Sequence, residues 1–176
     1  MEVTISSLDN SNRYNILMGD TLLGIFDILP NNVNGSFNGN NISLVKGIDK
    51  DINNDLVKYD KTLKIDNGFI ILFDGNEIGY MGNVLRKSGM FSKEKIGLML
   101  KINNNFYNTY SYQNDITVIY LGNNEICEIN GINVCSKIDD ILVGIVVAIY
   151  KLLGNEMILT SDTSKYNSNF RTSIQE

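Results

Sequence analysis

Residues 141–153 read ILVGIVVAIYKLL. The uninterrupted apolar stretch is about ten residues, half of the roughly twenty that a membrane span needs, and runs of this length are more often buried core helices. The flanks carry helix signals. Asp139 and Asp140 stand where a first turn favours acids, and Ser136 or Asp139 can serve as N-cap. Lys151 suits the last turn and Gly154 the C′ position. We predict a helix over about 138–153. It is apolar on every side, so protein must enclose it. Val143, Ile145, Val146, Val147 and Ile149 also allow a buried strand, the alternative reading of the segment.

Working outward from this segment, the preceding chain is a series of apolar or alternating runs broken by turn residues. FIILF leads through Asp74-Gly75-Asn76 to EIGYM, and KIGLMLKI through Asn103-Asn104-Asn105 to FYNTYSY. DITVIYL leads through Gly122-Asn123-Asn124 to EICEI, and Asn130-Gly131 leads to INV. Each is a strand-turn-strand signature. YNILM, Gly19-Asp20 and TLLGIFDIL form a less regular pair. Segment 31–62 holds the weakest signals, with short strands expected near Ile42–Val45 and Leu63–Ile65. The stretches Met18–Phe26, Phe73–Met81 and Leu121–Ile129 resemble one another, through duplication or through shared hairpin chemistry.

Composition agrees. The chain has 15 Gly, abundant Asn and a single Ala (Ala148), which disfavours helices and favours tight turns. At 176 residues it is one domain, and 43% hydrophobic against 20% charged residues excludes global disorder. A net charge of −5 disfavours a nucleic-acid partner. The absence of His removes histidine base catalysis, histidine metal sites and every Ser/His or Cys/His pair.

Cys127 and Cys135 flank Asn130-Gly131. A two-residue loop there pairs Ile129 with Ile132 and Cys127 with Val134. Cys127, Ile129, Ile132 and Val134 then share one face and Cys135 takes the other. A loop one residue longer would oppose the two cysteines. The first register is preferred; it leaves two free thiols and points to a reducing, cytoplasmic location. The opening MEVTISSLDN lacks the basic and apolar regions of a signal peptide.

These features describe a mainly β protein: an antiparallel, closed or nearly closed β-barrel or meander around one buried apolar C-terminal helix. Residues 1–154 form this single domain, and 155–176 a polar tail or a sealing strand. The hairpin FDGNEIGYM followed by a basic segment, the hairpin LGNNEICEI, and IDDILVGIVVAIYKL resemble the tubby C-terminal-like superfamily. That superfamily includes LURP-one-related proteins, phospholipid scramblases and small bacterial relatives. The resemblance spans roughly residues 14–154. It implies a closed barrel threaded by the helix and a non-enzymatic, lipid-contacting role.

Two segments are candidate sites. RKSGMFSKEK concentrates Arg86, Lys87, Lys93 and Lys95 around Phe91, a pattern suited to anionic lipid head groups with an inserted aromatic. The tubby proteins proper, which the chain resembles, bind phosphoinositides through basic residues. The ordinary alternative is a solvated loop with Phe91 packed inward. Asp49, Asp51, Asn53, Asp55 and Asp60 fall at oxygen-ligand positions of a calcium loop, but Asn54 replaces the turn Gly and Asp60 the bidentate Glu. A solvated polar loop is the default there. The two cysteines have no base partner and no phosphate-binding loop is present, so no catalytic residues are expected. The reading is a binding module for anionic lipid, or alternatively an accessory or immunity-type protein whose acidic surface takes a basic protein partner.

Overall fold

Turn chemistry sets the strand ends. Asn38-Gly39 and Asp74-Gly75 hold positive φ at both central positions (49° and 81°; 47° and 80°). Such turns match the twist of the flanking strands and select Asn, Asp and Gly. Gly19, Asn103 and Gly122 begin three further two-residue turns with φ of 57°, 53° and 63°. The structure, a computed structural model, describes residues 1–8, 11–47, 60–87, 89–90, 93–111 and 115–154.

The described strands are β1 (Glu2–Ser7), β2 (Arg13–Met18), β3 (Thr21–Leu29), β4 (Asn32–Phe37), β5 (Asn40–Lys46) and β6 (Leu63–Phe73). They continue as β7 (Asn76–Lys87), β8 (Lys93–Ile102), β9 (Asn105–Ser111), β10 (Ile116–Leu121), β11 (Asn124–Asn130) and β12 (Asn133–Ser136), followed by helix α1 (Leu142–Leu152). Each strand pairs antiparallel with its sequence neighbours, and β1 pairs with β12, closing the barrel. The expected mainly β barrel around a C-terminal helix is therefore the fold. Closure removes every sheet edge.

The closing strand is one that sequence reading passed over. Val3 and Ile5 point inward, Val3 opposite Val134, and the Met1 ammonium donates to the Ser136 carbonyl at 2.8 Å. Likewise, Leu63–Ile65 is not a separate short strand but the start of the eleven-residue β6. Segment 155–176, expected as tail or sealing strand, lies outside the described residues.

The three resembling stretches adopt one local structure. In β2–β3, β6–β7 and β10–β11 the turn is followed by two paired rows, then one extra residue: Leu23, Ile78 or Ile126. Each extra residue is a β-bulge, which bends its strand and raises the local twist. A small residue follows it: Gly24, Gly79 or Cys127. At Gly24 and Gly79 the neighbouring strand's carbonyl, of Ser36 or Lys101, occupies the place of a Cβ. The bulged hairpins recur every fourth strand, so the barrel divides into three four-strand units.

Helix α1 fills the lumen. Val143 to Tyr150 are all buried, among them Ile145, Val146 and Val147 at 0% exposure, so the helix alternative is the one realised. The helix begins later than predicted. Asp139 and Asp140 precede its first turn, and the Leu142 N–H donates to Asp140 Oδ1 at 3.1 Å. Ser136 caps nothing in the helix; its hydroxyl donates to the Ile138 carbonyl at 2.9 Å. Gly154 takes the expected C′ place with φ 71°. Near the helix C-terminus the Tyr150 hydroxyl donates to the Asn67 carbonyl at 3.0 Å, and its ring meets Phe69 edge-on at 5.8 Å. Asn67, at φ 50°, sits in a bulge of β6.

The β11–β12 register differs from the preferred one. Gly131 and Ile132 form the turn, with Gly131 at φ 57°, so Ile129 pairs with Val134, Glu128 with Cys135 and Cys127 with Ser136. Asn130 stays in the strand, and Ile132 leaves the inner face for the turn, 55% exposed. Both thiols are free as expected, Cys127 buried and Cys135 exposed.

Candidate functional site

The topology makes the two barrel ends unlike. Five two-residue turns, at 19–20, 38–39, 74–75, 103–104 and 122–123, lie on one end, where the chain also enters the helix. The other end, where the helix emerges, carries the connections 8–12, 30–31, 47–62, 88–92, 112–115 and 131–132. We call these the tight-turn end and the helix-exit end. Both candidate segments belong to the helix-exit end.

Charge separates with them. At the tight-turn end the described residues Glu2, Asp20, Asp74, Glu77, Glu125, Asp139 and Asp140 face the Met1 ammonium, Lys101 and Lys137, and Lys137 pairs with Glu125 at 2.6 Å. Among the described residues at the helix-exit end, Asp27, Asp60 and Asp115 are held in ion pairs. Arg13 holds Asp27 in a two-pronged pair (2.7 and 3.0 Å), which lowers the acid's pKa. Asp60 accepts from the Thr62 hydroxyl (2.6 Å) and N–H (2.8 Å) and lies 3.5 Å from Arg86 Nε. The Thr62 hydrogen bonds are the main cause of its lowered pKa. Lys151 donates to Asp115 Oδ1 at 3.1 Å and to Thr117 Oγ1 at 3.0 Å. Asp66, further down β6, is exposed.

Several lysine positions fall on one ribbon. Lys93 stands opposite Lys87, Lys95 opposite Leu85, and Leu85 opposite Lys64. Directly opposed residues share a face, as do residues two apart in a strand, so positions 64, 87, 93 and 95 lie together. Arg86 falls on the other face with Val84. Lys61, Lys64 and Lys87 are exposed, and Met90 at the hairpin tip is 82% exposed.

Of the cations grouped in the sequence, the register puts positions 87, 93 and 95 on one face and Arg86 on the other, beside Asp60; the sequence reading did not include Lys61 and Lys64. Those two lie more than twenty residues away, and only the β6–β7 pairing brings them in. Phe91 lies outside the described residues. So do Asp49, Asp51, Asn53 and Asp55; Asp60 is described, with its carboxylate engaged as above. Among the described residues no group of three His, Cys, Asp or Glu could hold a metal ion.

Beside the emerging helix lies an open cleft of about 330 Å³. Ile5 and Tyr14 form one wall, Ala148, Lys151 and Leu152 another, and Ile132 stands at the lip. The Lys151 ammonium is already bonded to the protein here, so the cleft offers chiefly apolar surface. Cys127 is no nucleophile in waiting: burial pushes its thiol up to about 12, aided by Cys135 and Glu128. No described helix is long and apolar enough to cross a membrane. Comparison with protein-family models, with curated proteins and with solved structures finds no match.

Proposed function

We propose that the protein is a non-enzymatic binding module that docks on an anionic lipid surface through the helix-exit end, with Lys64, Lys87, Lys93 and Lys95 as its main cations. The observation that carries this reading is the Lys87–Lys93 cross-strand pair. Positions 87 and 93 are directly opposed in the register, and like charges so placed cost stability. An anionic ligand relieves that repulsion. Met90 at the tip adds an apolar residue beside the cations, the combination that interfacial binding uses.

Among the described residues the unpaired acids lie mainly at the tight-turn end, which bears on the objection raised by the net charge of −5. An anionic surface attracts one end and repels the other, so the charge distribution orients the molecule. Each cation near such a surface contributes about 1 kcal/mol, so four give weak, salt-sensitive binding. The barrel with its threaded helix supports, as part of the same proposal, a place in the tubby-like superfamily. The two free thiols support a reducing, cytoplasmic setting.

Cosedimentation with phosphatidylcholine vesicles, with and without phosphatidylserine, tests the reading. Binding that needs the anionic lipid, weakens with salt and is lost when Lys64, Lys87, Lys93 and Lys95 become Glu supports it. Binding unchanged in that variant overturns it. A second reading has its own observation: the surplus acids Asp20, Asp74, Glu77, Asp139 and Asp140 at the tight-turn end suit a basic protein partner. Such a partner would stay bound to the lysine variant and be lost when Asp20 and Asp74 become Lys.

A further inference from the structure

Four Asn-Gly pairs occur in the sequence, at 34–35, 38–39, 67–68 and 130–131. Glycine has no side chain to shield its amide nitrogen, so in such a pair that nitrogen can attack the Asn side-chain amide and close a succinimide ring. Attack needs the Asn–Gly peptide to rotate toward the side chain. A peptide whose carbonyl or N–H is tied into the fold is held back until it opens locally.

The fold treats the four pairs differently. Asn34 pairs with Asp27 and Gly35 with Ile42, so their peptide lies inside two ladders, and the Ile25 carbonyl and the Phe26 ring crowd Gly35. The Asn67 carbonyl accepts from Tyr150 at 3.0 Å, and Gly68 is buried. The Gly131 N–H donates to the Asp115 carbonyl at 3.4 Å, and Asn130 is paired with Ile116 and Asn133. At 38–39 both residues are exposed, and nothing stands within 4 Å of where a Gly39 Cβ would be. Among the described residues, their shared peptide is held by a single long hydrogen bond, from Asn40 Nδ2 to the Asn38 carbonyl at 3.4 Å.

We propose that Asn38 is a site of spontaneous deamidation, which the fold selects over the other three. The Gly39 nitrogen bonds to Asn38 Cγ, the Cγ–Nδ2 bond breaks, and Nδ2 leaves as ammonia with the Gly39 proton. Water then opens the ring at either carbonyl and leaves aspartate or isoaspartate. In sum, an amide and water become a carboxylate and ammonium. The neighbouring turns on either side carry Asp20 and Asp74. The product therefore puts a carboxylate on three consecutive turns of the tight-turn end. Isoaspartate also adds a backbone carbon to a two-residue turn whose geometry matches the strand twist, which loosens that end of the β4–β5 hairpin. Asp74-Gly75 has the same turn geometry and is the internal control. Its Asp74 Oδ1 accepts from the Asn41 N–H at 2.8 Å, which holds the side chain away from ring closure.

The full chain would be kept in warm, mildly alkaline buffer, folded and in urea. Chymotryptic peptides, which part Asn34 from Asn38 at Phe37, would be followed by electron-transfer mass spectrometry, which tells isoaspartate from aspartate. Isoelectric focusing follows the intact chain. In the folded protein Asn38 should convert about tenfold or more ahead of Asn34, Asn67 and Asn130, with Asp74 unchanged. The early acidic form should be missing from Asn38→Gln, and in urea the four rates should converge. The peptide map of the parent carries the test whether or not Asn38→Gln folds. Earlier conversion at another of the four in the folded protein, or equal rates at all four, overturns the inference. So does an unreacted Asn38 in the folded protein while the urea sample converts, since the turn would then protect it. An acidic form that persists in folded Asn38→Gln overturns it too.

Discussion

Gly144 of the helix lies directly against Cys127 of β11: a Cβ added to Gly144 would stand 2.6 Å from the Cys127 Sγ and 2.5 Å from Val134 Cγ1. Neither neighbour is the far end of a long side chain, so neither can swing away. The bulge before Cys127 and the missing side chain at 144 together let the helix approach the β11–β12 wall.

Gly144→Ala sets two effects against each other. Ala gains up to about 1 kcal/mol in helix propensity. Overpacking a closed core costs about 1–3 kcal/mol. We expect packing to win and the thermal midpoint to fall, by about 2–4 °C for each net kcal/mol. Adding Cys127→Ala should return part of the loss. A midpoint that rises in Gly144→Ala alone would mean that the wall yields.

Alkaline pH should destabilise the protein through Cys127. Its folded pKa of about 12 lies above the ordinary 9.0, so the folded chain keeps a proton that the unfolded chain releases. The contribution is fully present below pH 9 and is lost as pH rises toward 12. The slope is about 1.4 kcal/mol per pH unit over that window. Urea unfolding at a series of pH values should show it, and Cys127→Ala should remove it. In the native protein a thiol reagent should label Cys135 and spare Cys127.

Lys87→Glu should raise stability and weaken lipid binding at once. It turns a like-charge cross-strand pair with Lys93 into an opposite-charge pair, a change of about 0.2–1 kcal/mol. Thermal unfolding and vesicle cosedimentation on one preparation measure both effects. A variant that is less stable, or that binds as well as the parent, contradicts the role given to this pair.

Tyr150→Phe removes the hydrogen bond to the Asn67 carbonyl and leaves that part-buried carbonyl without this donor. The expected cost is about 1–3 kcal/mol. Burial holds the Tyr150 hydroxyl well above its ordinary pKa of 10.0, so it adds to the alkaline loss of stability only above pH 10. Native-state hydrogen exchange should show the β6 bulge and the last helical turn opening more readily in the variant.

Calcium should leave the thermal midpoint unchanged. Asp60, the last position of the calcium-like pattern, already accepts from Thr62 and faces Arg86. A midpoint that rises with calcium, and no longer does so in Asp51→Asn, would place an ion in that segment after all.

Much of the fold was legible because its signals are local. Asp74-Gly75, Asn103-Asn104 and Gly122-Asn123 sit at turns since positive φ selects those residues within a few positions. The helix was legible from its apolar run and its Gly154 terminus. The repeated stretches were legible as a pattern, though their shared bulge was not, because a bulge is defined by the partner strand. Gly131-Ile132 misled for a related reason. Asn130-Gly131 is the stronger turn dipeptide, but the register is set by β12, which must pair with β1 on its other side.

The amino-acid sequence by itself determined the turns, the strand-rich composition, the buried helix and the absence of histidine chemistry, since each depends on residues close together or on mere presence. Only the tertiary structure decided that Glu2–Ser7 closes the barrel and that position 64 joins positions 87, 93 and 95 on one face. These follow from antiparallel order. Every second connection returns to the same end, so residues far apart in the chain become neighbours, and no local pattern of side chains records that meeting.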